Sequence, residues 1–256
     1  MLDATGLGFT IAFIDVAQGD ATLIIANTGE TLLIDGGRSR ERIQERLGAM
    51  GITDLDAIAM THPDIDHIGG LVKVIELYPI ERIYLNGADS ESLTFKTFIA
   101  DVNSEGAEVI TVTRGDSIPL GGLTLQVVHP GTLRDDSNED SMVLLLDCGD
   151  VKVLLTGDAE TPSENEMIDA GVLVDIDVLK VGHHGSNTST SQAFLDVVQP
   201  EVAVISAGLD NQYGHPHDEV VDRLVAAGVK IYMTDTTKSG VETVTMTSDC
   251  KTYELG

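Results

Sequence analysis

The stretch Met60–Gly70, "MTHPDIDHIGG", follows the apolar run "LDAIAM" and is the most informative part of the sequence. Two histidines and two aspartates fall within six residues of it, at His62, Asp64, Asp66 and His67. An apolar run that turns abruptly polar is typical of a buried strand ending in a loop at the rim of a sheet. Side chains at this spacing can converge on one point, which raises the question of a bound metal.

Three further apolar runs are also followed by histidine or aspartate. "VKVLLTGD" ends at Asp158, "DVLKVGHHGS" contains His183 and His184, and "NQYGHPH" contains His215 and His217. Each signal alone is weak, because an aspartate after a strand is often only a helix N-cap. Their joint occurrence favours a dinuclear metal site, in which imidazoles and bridging carboxylates hold two ions. Such a pair of ions can activate a shared water and clamp a phosphoryl oxygen.

The hydrophobic periodicity predicts two halves of similar design. Each half opens with an antiparallel meander, and the six predicted strands are 9–17, 21–27, 31–37, 123–129, 141–148 and 151–158. Each meander is followed by alternating strands and helices: strands 55–60, 81–86, 107–112, 177–182, 202–208 and 230–235, and helices 39–51, 67–78, 92–106, 164–170, 192–198 and 218–227. We expect two sheets packed face to face with helices outside, in one domain over residues 1–256.

The chain is strongly acidic. It has 42 Asp plus Glu against 15 Lys plus Arg, a formal net charge of −27 spread along its whole length. Because molar salt screens such repulsion, we interpret the surface as an adaptation to high salt, as in halophiles. No apolar run approaches the length of a membrane span, and the start lacks a signal-peptide pattern. We therefore expect a soluble protein, either cytoplasmic in a high-salt organism or an exported domain whose signal or membrane part is missing.

Cys148 and Cys250 are the only cysteines. Cys148 lies in an apolar strand and Cys250 in the last strand candidate. Two cysteines in a chain of this size do not make a disulfide scaffold, so we expect two thiols without a catalytic or redox role.

The motifs resemble those of the metallo-β-lactamase superfamily of hydrolases over essentially the whole chain. "LLIDGG", "THPDIDHIGG", "LLTGD" and "VGHHGS" stand in the family's order. Within it, "FIDVAQGDATLI", "NEDSMVLLLDCGDVKVLLTGDAE" and "NQYGHPHDEVVDRL" resemble the hydrolase domain of ComEC-type competence proteins. The resemblance implies an α/β (α+β) fold, a four-layer αββα sandwich of two mixed sheets, with the site at the rim between them.

The resemblance also implies a set of metal ligands: His62, Asp64, Asp66, His67, Asp158, His183 and His184. His62 resembles the first ligand of site one, Asp66 and His67 resemble ligands of site two, and Asp158 resembles the bridge. One of His183 and His184 would close site two, and the other would contact substrate or donate a proton.

Two positions depart from the superfamily pattern. Asp64 stands where the second loop histidine is usual, and the third-motif histidine falls on or near Asn138, with His129 as an alternative. Site one is therefore richer in oxygen, which suits Mn²⁺ or Mg²⁺ better than Zn²⁺. We expect two divalent ions, Mn²⁺ favoured and Zn²⁺ or Mg²⁺ as alternatives, with weak occupancy of site one.

Other residues take roles by the same resemblance. Asp35 and Gly69 would support the metal loop, while Asp66, His183, His184 and His215 would act in catalysis. The residues expected to contact substrate are Asp20, Asn138, Ser186, Asn211, His215 and His217.

The leading hypothesis is a metal-dependent phosphodiesterase that degrades DNA, with nucleic acid as substrate and a separate membrane channel of a DNA-uptake system as partner. The shortage of Lys and Arg argues against a simple nuclease, since phosphate affinity normally comes from these residues. One alternative is a small-molecule phosphodiesterase similar to phosphorylcholine esterases. The other is a binding or regulatory domain with weakened catalysis.

Overall fold

The structure is a computed structural model that describes residues 7–234 and 243–256. Within these residues the strands form two mixed sheets. Sheet one has the spatial order β15-β14-β1-β2-β3-β4-β5-β6, with β1 (Phe9–Ile14), β2 (Thr22–Ala26), β3 (Thr31–Ile34), β4 (Leu55–Met60), β5 (Ile80–Leu85), β6 (Glu108–Thr111), β14 (Thr243–Ser248) and β15 (Tyr253–Leu255).

Sheet two has the order β13-β12-β11-β10-β9-β8-β7, with β7 (Ser117–Leu120), β8 (Leu123–His129), β9 (Val143–Cys148), β10 (Val151–Leu155), β11 (Val178–Lys180), β12 (Val202–Ile205) and β13 (Lys230–Met233). The first strands of each half pair antiparallel, β1 to β3 and β8 to β10. The later strands pair parallel. The predicted pattern of a meander followed by strand–helix units is therefore confirmed in both halves.

The helices are α1 (Arg40–Ala49), α2 (Ile65–Ile68), α3 (Leu71–Leu77), α4 (Leu93–Glu105), α5 (Thr161–Asp169), α6 (Gln192–Val198) and α7 (Asp218–Ala226), with a 3₁₀ turn at Gly182–Gly185. Three apolar clusters separate the layers. One lies between the sheets, one joins sheet one to α1, α3 and α4, and one joins sheet two to α5, α6 and α7. This arrangement confirms the four-layer αββα sandwich.

The prediction of one continuous helix over 67–78 is wrong, because the structure has two helices there, α2 and α3. Gly69 and Gly70 lie at the break and allow close contact with the loop after β3. A Cβ on Gly70 would lie 2.0 Å from the carbonyl oxygen of Gly36, and one on Gly69 would lie 2.5 Å from that of Arg38. The glycines are needed because backbone packs directly on backbone there.

Three strand pairings were missed, those of β7 with β8, β1 with β14 and β14 with β15. β7 contains Pro119 and forms the edge of sheet two, where a proline costs no ladder hydrogen bond. β14 and β15 extend sheet one beyond β1. The predicted strand 230–235 ends at Met233, and Asp235 lies outside the described residues.

The expectation of two free thiols is wrong. Cys148 and Cys250 form a disulfide, with their Cα atoms 5.0 Å apart and a sequence separation of 102. Cys250 lies in the turn between β14 and β15 and not inside a strand. The bond joins the end of β9 in sheet two to this turn of sheet one, a proximity that no local pattern predicts.

In the part of the chain that the structure describes, no helix has both the length and the apolarity needed to span a membrane.

Candidate metal centre

Polar loops from both sheets meet at one end of the sandwich. The loop after β4 contributes His62 and His67, the loop after β10 contributes Asp158, and the turn after β11 contributes His183 and His184. The carboxyl ends of these parallel strands share one rim, which is why segments distant in sequence come together there.

Four imidazoles surround one oxygen, Oδ2 of Asp158. The Nε2 atoms of His67, His184, His183 and His62 lie 3.3, 3.4, 3.8 and 4.0 Å from it, respectively. Donor atoms that share an ion through bonds of about 2.0–2.2 Å lie roughly 3–4 Å from one another. The separations therefore match those of a shared cation.

The opposite ring nitrogen of each imidazole is already engaged. Nδ1 of His184 donates to the carbonyl oxygen of Ser206 over 2.9 Å, and Nδ1 of His67 donates to Asp35 Oδ2 over 2.7 Å. A carbonyl cannot donate a hydrogen bond, so the proton of neutral His184 is on Nδ1 and the lone pair on Nε2. Outer partners of this kind orient metal-binding histidines.

The same arrangement holds for the other two rings. Nδ1 of His183 lies 2.8 Å from Glu160 Oε1, and Nδ1 of His62 contacts the hydroxyls of Thr61 at 3.1 Å and Ser141 at 3.3 Å. All four Nε2 atoms consequently face the same centre.

Several polar atoms at this centre are buried without a hydrogen-bond partner. They are Nε2 of His62, His67 and His184 and Oδ1 of Asp158. Orphaned buried polar atoms are rare in native proteins, since each one carries an uncompensated desolvation cost. A divalent cation would satisfy all four, so the residues present fit the metal that the motifs predict.

The described residues contain three groups whose donor atoms lie within 4.8 Å of one another. They are His62 with His67 and Asp158; Asp66 with His67 and His184; and Asp20 with Asp158 and His184. His67, Asp158 and His184 each belong to two groups. Of these three, Asp158 has two carboxylate oxygens and could serve two neighbouring ions, whereas each histidine has one free Nε2 for a single ion.

The charged groups at the centre shift one another's pKa values. Burial disfavours the protonated form of both His67 and His184. The carboxylates of Asp158 and Asp35 around His67, and of Asp158 and Asp20 around His184, together outweigh burial and raise the pKa of both histidines well above the usual range. Burial likewise disfavours ionised Asp158, yet His184 and His67 hold its pKa well below the usual range. Burial, with the charge of His67, lowers the pKa of His62 to about 4. A metal ion would have to displace the protons on His67 and His184.

The turn after β11 places its two adjacent histidines in different surroundings. His183 and His184 both have left-handed backbone conformations, with φ of 46° and 55°. His184 is buried and its Nε2 lies 3.7 Å from Asp66 Oδ2, whereas the side chain of His183 is 22% exposed. The geometry thus favours His184 as the ligand that closes site two and leaves His183 on the open side.

The two departures from the superfamily pattern have different surroundings. Asp64 Oδ2 lies 3.9 Å from Nε2 of His62, on a half-exposed side chain whose Oδ1 accepts from Ser137. His129 donates from Nδ1 to the carbonyl oxygen of Ser141. Asn138 donates to Glu160. His129 does not belong to the His, Asp and Glu donor groups found among the described residues.

A buried ion pair lies directly behind the centre. Lys180 Nζ is 2.6 Å from Asp20 Oδ2, and both side chains are almost fully buried. Oδ1 of Asp20 has no hydrogen-bond partner and lies 3.5 Å from Nδ1 of His184. Gly19 brings this turn onto the metal loop: at φ 133° its missing Cβ would stand 2.2 Å from the carbonyl oxygen of Asp66.

The expectation that Asp20 contacts substrate is wrong, because Asp20 is buried in the ion pair with Lys180. The other residues expected to contact substrate lie in loops beside the centre, and most of their polar atoms are engaged. Ser186 Oγ bonds Thr188, and the backbone N–H of Asn187 donates to Nδ1 of His217. Asn211 uses its amide to hold its own loop, donating to the carbonyl oxygen of Gly208. Nδ1 of His215 is buried without a partner.

Three residues at the centre were not assigned from the sequence. Glu160 and Ser141 orient His183 and His62 from the quoted motifs "LLTGDAE" and "NEDS". Lys180 was also missed, although a lysine inside the apolar run "DVLKVG" is itself a signal, because a buried charge requires a partner.

The chain belongs to the metallo-β-lactamase superfamily, whose family model, "Metallo-beta-lactamase superfamily", matches residues 14–208. Membership implies the binding of divalent metal. The fold is also similar to that of a solved structure, Tm1679, a metal-dependent hydrolase of the β-lactamase superfamily, with a TM-score of 0.58 and 16% identity over 88% of this chain and 95% of that one.

Among curated proteins, the chain is similar to ComE operon protein 3 of Bacillus subtilis (strain 168), with 34% identity over 88% of the chain and 32% of the relative. It is 32% identical to Competence protein ComA of Neisseria gonorrhoeae over 86% of the chain and 30% of that protein. It is 26% identical to Exodeoxyribonuclease WalJ of Streptococcus pneumoniae serotype 2 over 70% of the chain and 67% of that protein. The chain spans less than a third of the length of the first two relatives.

Proposed function

We propose that this protein is a metal-dependent phosphodiesterase that cleaves DNA. The observation that carries the proposal is the convergence of four Nε2 atoms on Asp158 Oδ2, each ring held from behind through Nδ1. The name of the relative WalJ, an exodeoxyribonuclease, supports DNA as substrate.

The proposed cofactor is a pair of divalent ions, with Mn²⁺ favoured. His62 and Asp158, with Asp64 at the edge, would hold one ion, and Asp66, His67, His184 and Asp158 the other. The carboxylates of Asp64, Asp66 and Asp158, with Asp20 beside them, make the centre rich in oxygen, which suits Mn²⁺ or Mg²⁺. When bound, such ions would lower the pKa of water and neutralise charge on the phosphate.

The protein's own residues then have separate tasks. Asp66 stands at the partly open side of the centre as a carboxylate, because contacts with His184 and His67 outweigh burial and lower its pKa to about 2. It would accept a hydrogen bond from the attacking water and orient it. His183, partly exposed and held by Glu160, is placed to hold or protonate the leaving oxygen.

His215 is a further group for the leaving oxygen. Its ring centroid lies 5.5 Å from that of His183. Burial, together with the charges of His183 and His184, lowers the pKa of His215 to about 4, so it is neutral at pH 7. It would therefore hold the leaving oxygen by a hydrogen bond and not by charge.

The test is turnover of single- and double-stranded DNA and of bis-p-nitrophenyl phosphate in molar KCl with Mn²⁺, Mg²⁺ or Zn²⁺. We expect DNA cleavage with Mn²⁺, lost in His67→Ala and Asp158→Ala. Glu76→Ala, an exposed position on α3, serves as the control with unchanged turnover. Retained cleavage in both site variants would refute the centre.

Two other results would replace the proposal. Turnover of small phosphodiesters without DNA cleavage would indicate a small-molecule phosphodiesterase. Failure to bind a divalent ion at micromolar supply would indicate a binding or regulatory domain.

We further propose that the partner is a membrane channel of a DNA-uptake system, because a relative carries the name of a competence protein. Co-purification of the full-length protein with such a channel from membranes would test this, and recovery of the protein alone would contradict it.

A further inference from the structure

The charge of the protein limits how it can hold a DNA strand. With 15 Lys plus Arg and a net charge of −27, it has few groups that could replace the counterions of the phosphate backbone. Stacking of bases on aromatic side chains is a second source of affinity, and it does not require positive charge. An aromatic platform at the opening of the centre would therefore matter more here than in a basic nuclease.

Tyr213 provides such a surface. Among the large apolar side chains exposed within residues 7–234 and 243–256, it is the single aromatic one, at 46% exposure. Its ring is stacked on His215, with centroids 5.7 Å apart and planes 25° apart. His215 thus lies beside one face of the tyrosine ring, and nearly half of the tyrosine is open to solvent.

The loop that carries this ring is pre-ordered by Asn211. Oδ1 of Asn211 accepts from the backbone N–H groups of Tyr213 and His215, each over 3.1 Å. Its Nδ2 donates to the carbonyl oxygen of Gly208 over 2.8 Å. An aromatic side chain on a braced loop loses little freedom when a base stacks on it, which favours binding.

A series of ring contacts leads from Tyr213 to the metal centre. The ring centroid of His215 lies 5.5 Å from that of His183 and 6.2 Å from that of His184. Tyr213 is consequently two ring-to-ring steps from a candidate metal ligand, on the side where His183 is exposed. A phosphate at the centre would place its neighbouring nucleotide over this part of the rim.

We infer that Tyr213 is a stacking platform for the nucleobase next to the scissile phosphate, so that the site prefers single-stranded nucleic acid or a frayed end to a closed duplex. The inference rests on the proposed function. The preference follows because a base inside a duplex is stacked on its neighbours and must leave them before it can stack on a side chain.

The experiment compares Tyr213→Ala and Tyr213→Phe with the unmodified protein on a single-stranded oligonucleotide, with Mn²⁺ present. A second oligonucleotide of the same length has abasic residues flanking the cleaved bond, which keeps the backbone charge and removes the base. We expect Tyr213→Ala to raise KM for the normal strand about tenfold with little change in kcat. Tyr213→Phe should keep the low KM, because it keeps the ring.

The abasic strand provides the decisive comparison. The unmodified protein should bind it about tenfold more weakly than the normal strand, and Tyr213→Ala should bind the two strands equally. Leu93→Ala, which removes a side chain that is 81% exposed elsewhere, is the matched control and should behave like the unmodified protein. An equal rise in KM for both strands in Tyr213→Ala would overturn the platform, because it would indicate a general change in the loop.

A binding measurement separates this inference from the proposed function. Quenching of 2-aminopurine fluorescence in a single strand, recorded in EDTA, reports stacking without any turnover. Quenching that Tyr213→Ala abolishes supports the platform even if no DNA is cleaved. Cleavage that is independent of Tyr213, with no quenching, would refute the platform and leave the nuclease proposal standing.

Discussion

The two ends of the sandwich differ in whether their buried polar groups have hydrogen-bond partners. At the rim formed by the loops after β4, β10 and β11, buried nitrogens and a carboxylate oxygen have no partner. At the other end, the Cys148–Cys250 disulfide joins the two sheets, and Tyr253 donates to Glu201 over 2.7 Å. A fold gains stability by pairing its buried groups, so a cluster left unpaired is characteristic of a functional site.

The difference predicts that matched changes at the two ends have different effects. A change at the open rim should alter metal binding and turnover, whereas a change at the closed end should alter stability alone. Five measurements follow, from the largest expected effect to the smallest.

The largest effect is expected from the same substitution made once at each end. Asp158→Asn removes the charge around which the imidazoles gather, and turnover should fall by at least about 10²–10³-fold, the scale for losing one electrostatic catalytic group. Asp177→Asn, whose carboxylate accepts from the backbone N–H of Lys152 at the closed end, should leave kcat/KM unchanged. Similar losses in both variants would break the comparison.

The second measurement removes the disulfide by the double change Cys148→Ser and Cys250→Ser. For a closed loop of roughly 100 residues, the chain-entropy model gives a loss of about 4–5 kcal/mol. Denaturant unfolding of the double variant and of the oxidised protein measures it. Metal affinity and kcat/KM at 25 °C should be unchanged, so a parallel loss of metal binding would contradict the separation of the two ends.

The third test measures how much stability is lost when the buried ion pair behind the open rim is broken. Lys180→Met leaves the buried carboxylate of Asp20 without its cation, which should cost about 3–5 kcal/mol in the free energy of unfolding. The double variant Lys180→Met with Asp20→Asn should recover part of the loss, because no uncompensated charge remains. Equal stability of the single and double variants would show that the pair is not coupled.

A fourth effect concerns pH in the metal-free protein. The raised pKa of His67 and His184 means that the folded state binds protons that the unfolded state releases above about pH 6.5. Their contribution is complete below that pH and declines, by about 1.4 kcal/mol per pH unit for each histidine, as pH rises toward the folded pKa. Thermal unfolding in EDTA between pH 6 and 9 measures it.

Metal binding should follow the opposite trend with pH. Mn²⁺ affinity, measured by calorimetry, should rise over the same range because the ion displaces those protons. Stability in EDTA that does not change with pH would contradict the pairing of both histidines with Asp158.

The smallest effect is a general one. Raising KCl from 0.1 to 2 M should stabilise the fold by roughly 1 kcal/mol, since salt screens repulsion among the acidic side chains at both ends. Sucrose at matched osmolarity is the control, because it acts without screening. An equal gain in sucrose would argue against the high-salt interpretation.

Much of the fold was predictable because its signals are local. The alternation of meanders with strand–helix units is visible as hydrophobic periodicity, and the polar loops follow apolar runs along the chain. Parallel strands share one rim, so residues such as His67 and Asp158 could be placed together without coordinates.

The remaining features depend on contacts between distant segments. The partner of Cys148 lies in a turn 102 residues later, and Pro119 makes β7 difficult to recognise as a strand. The choice between His183 and His184 depends on backbone angles within a single turn. Neither hydrophobic periodicity nor motif spacing reports such angles.

The pairing of β1 with β14 determines when sheet one can be completed during protein synthesis. β1 emerges from the ribosome long before its neighbour on one side, which begins only at Thr243. Until that segment has been translated, β1 presents unpaired N–H and C=O groups along an edge that can pair with other nascent chains. Pairings of such long sequence separation also form slowly. The interval before Thr243–Ser248 emerges is therefore the one in which β1 is most open to pairing with other chains.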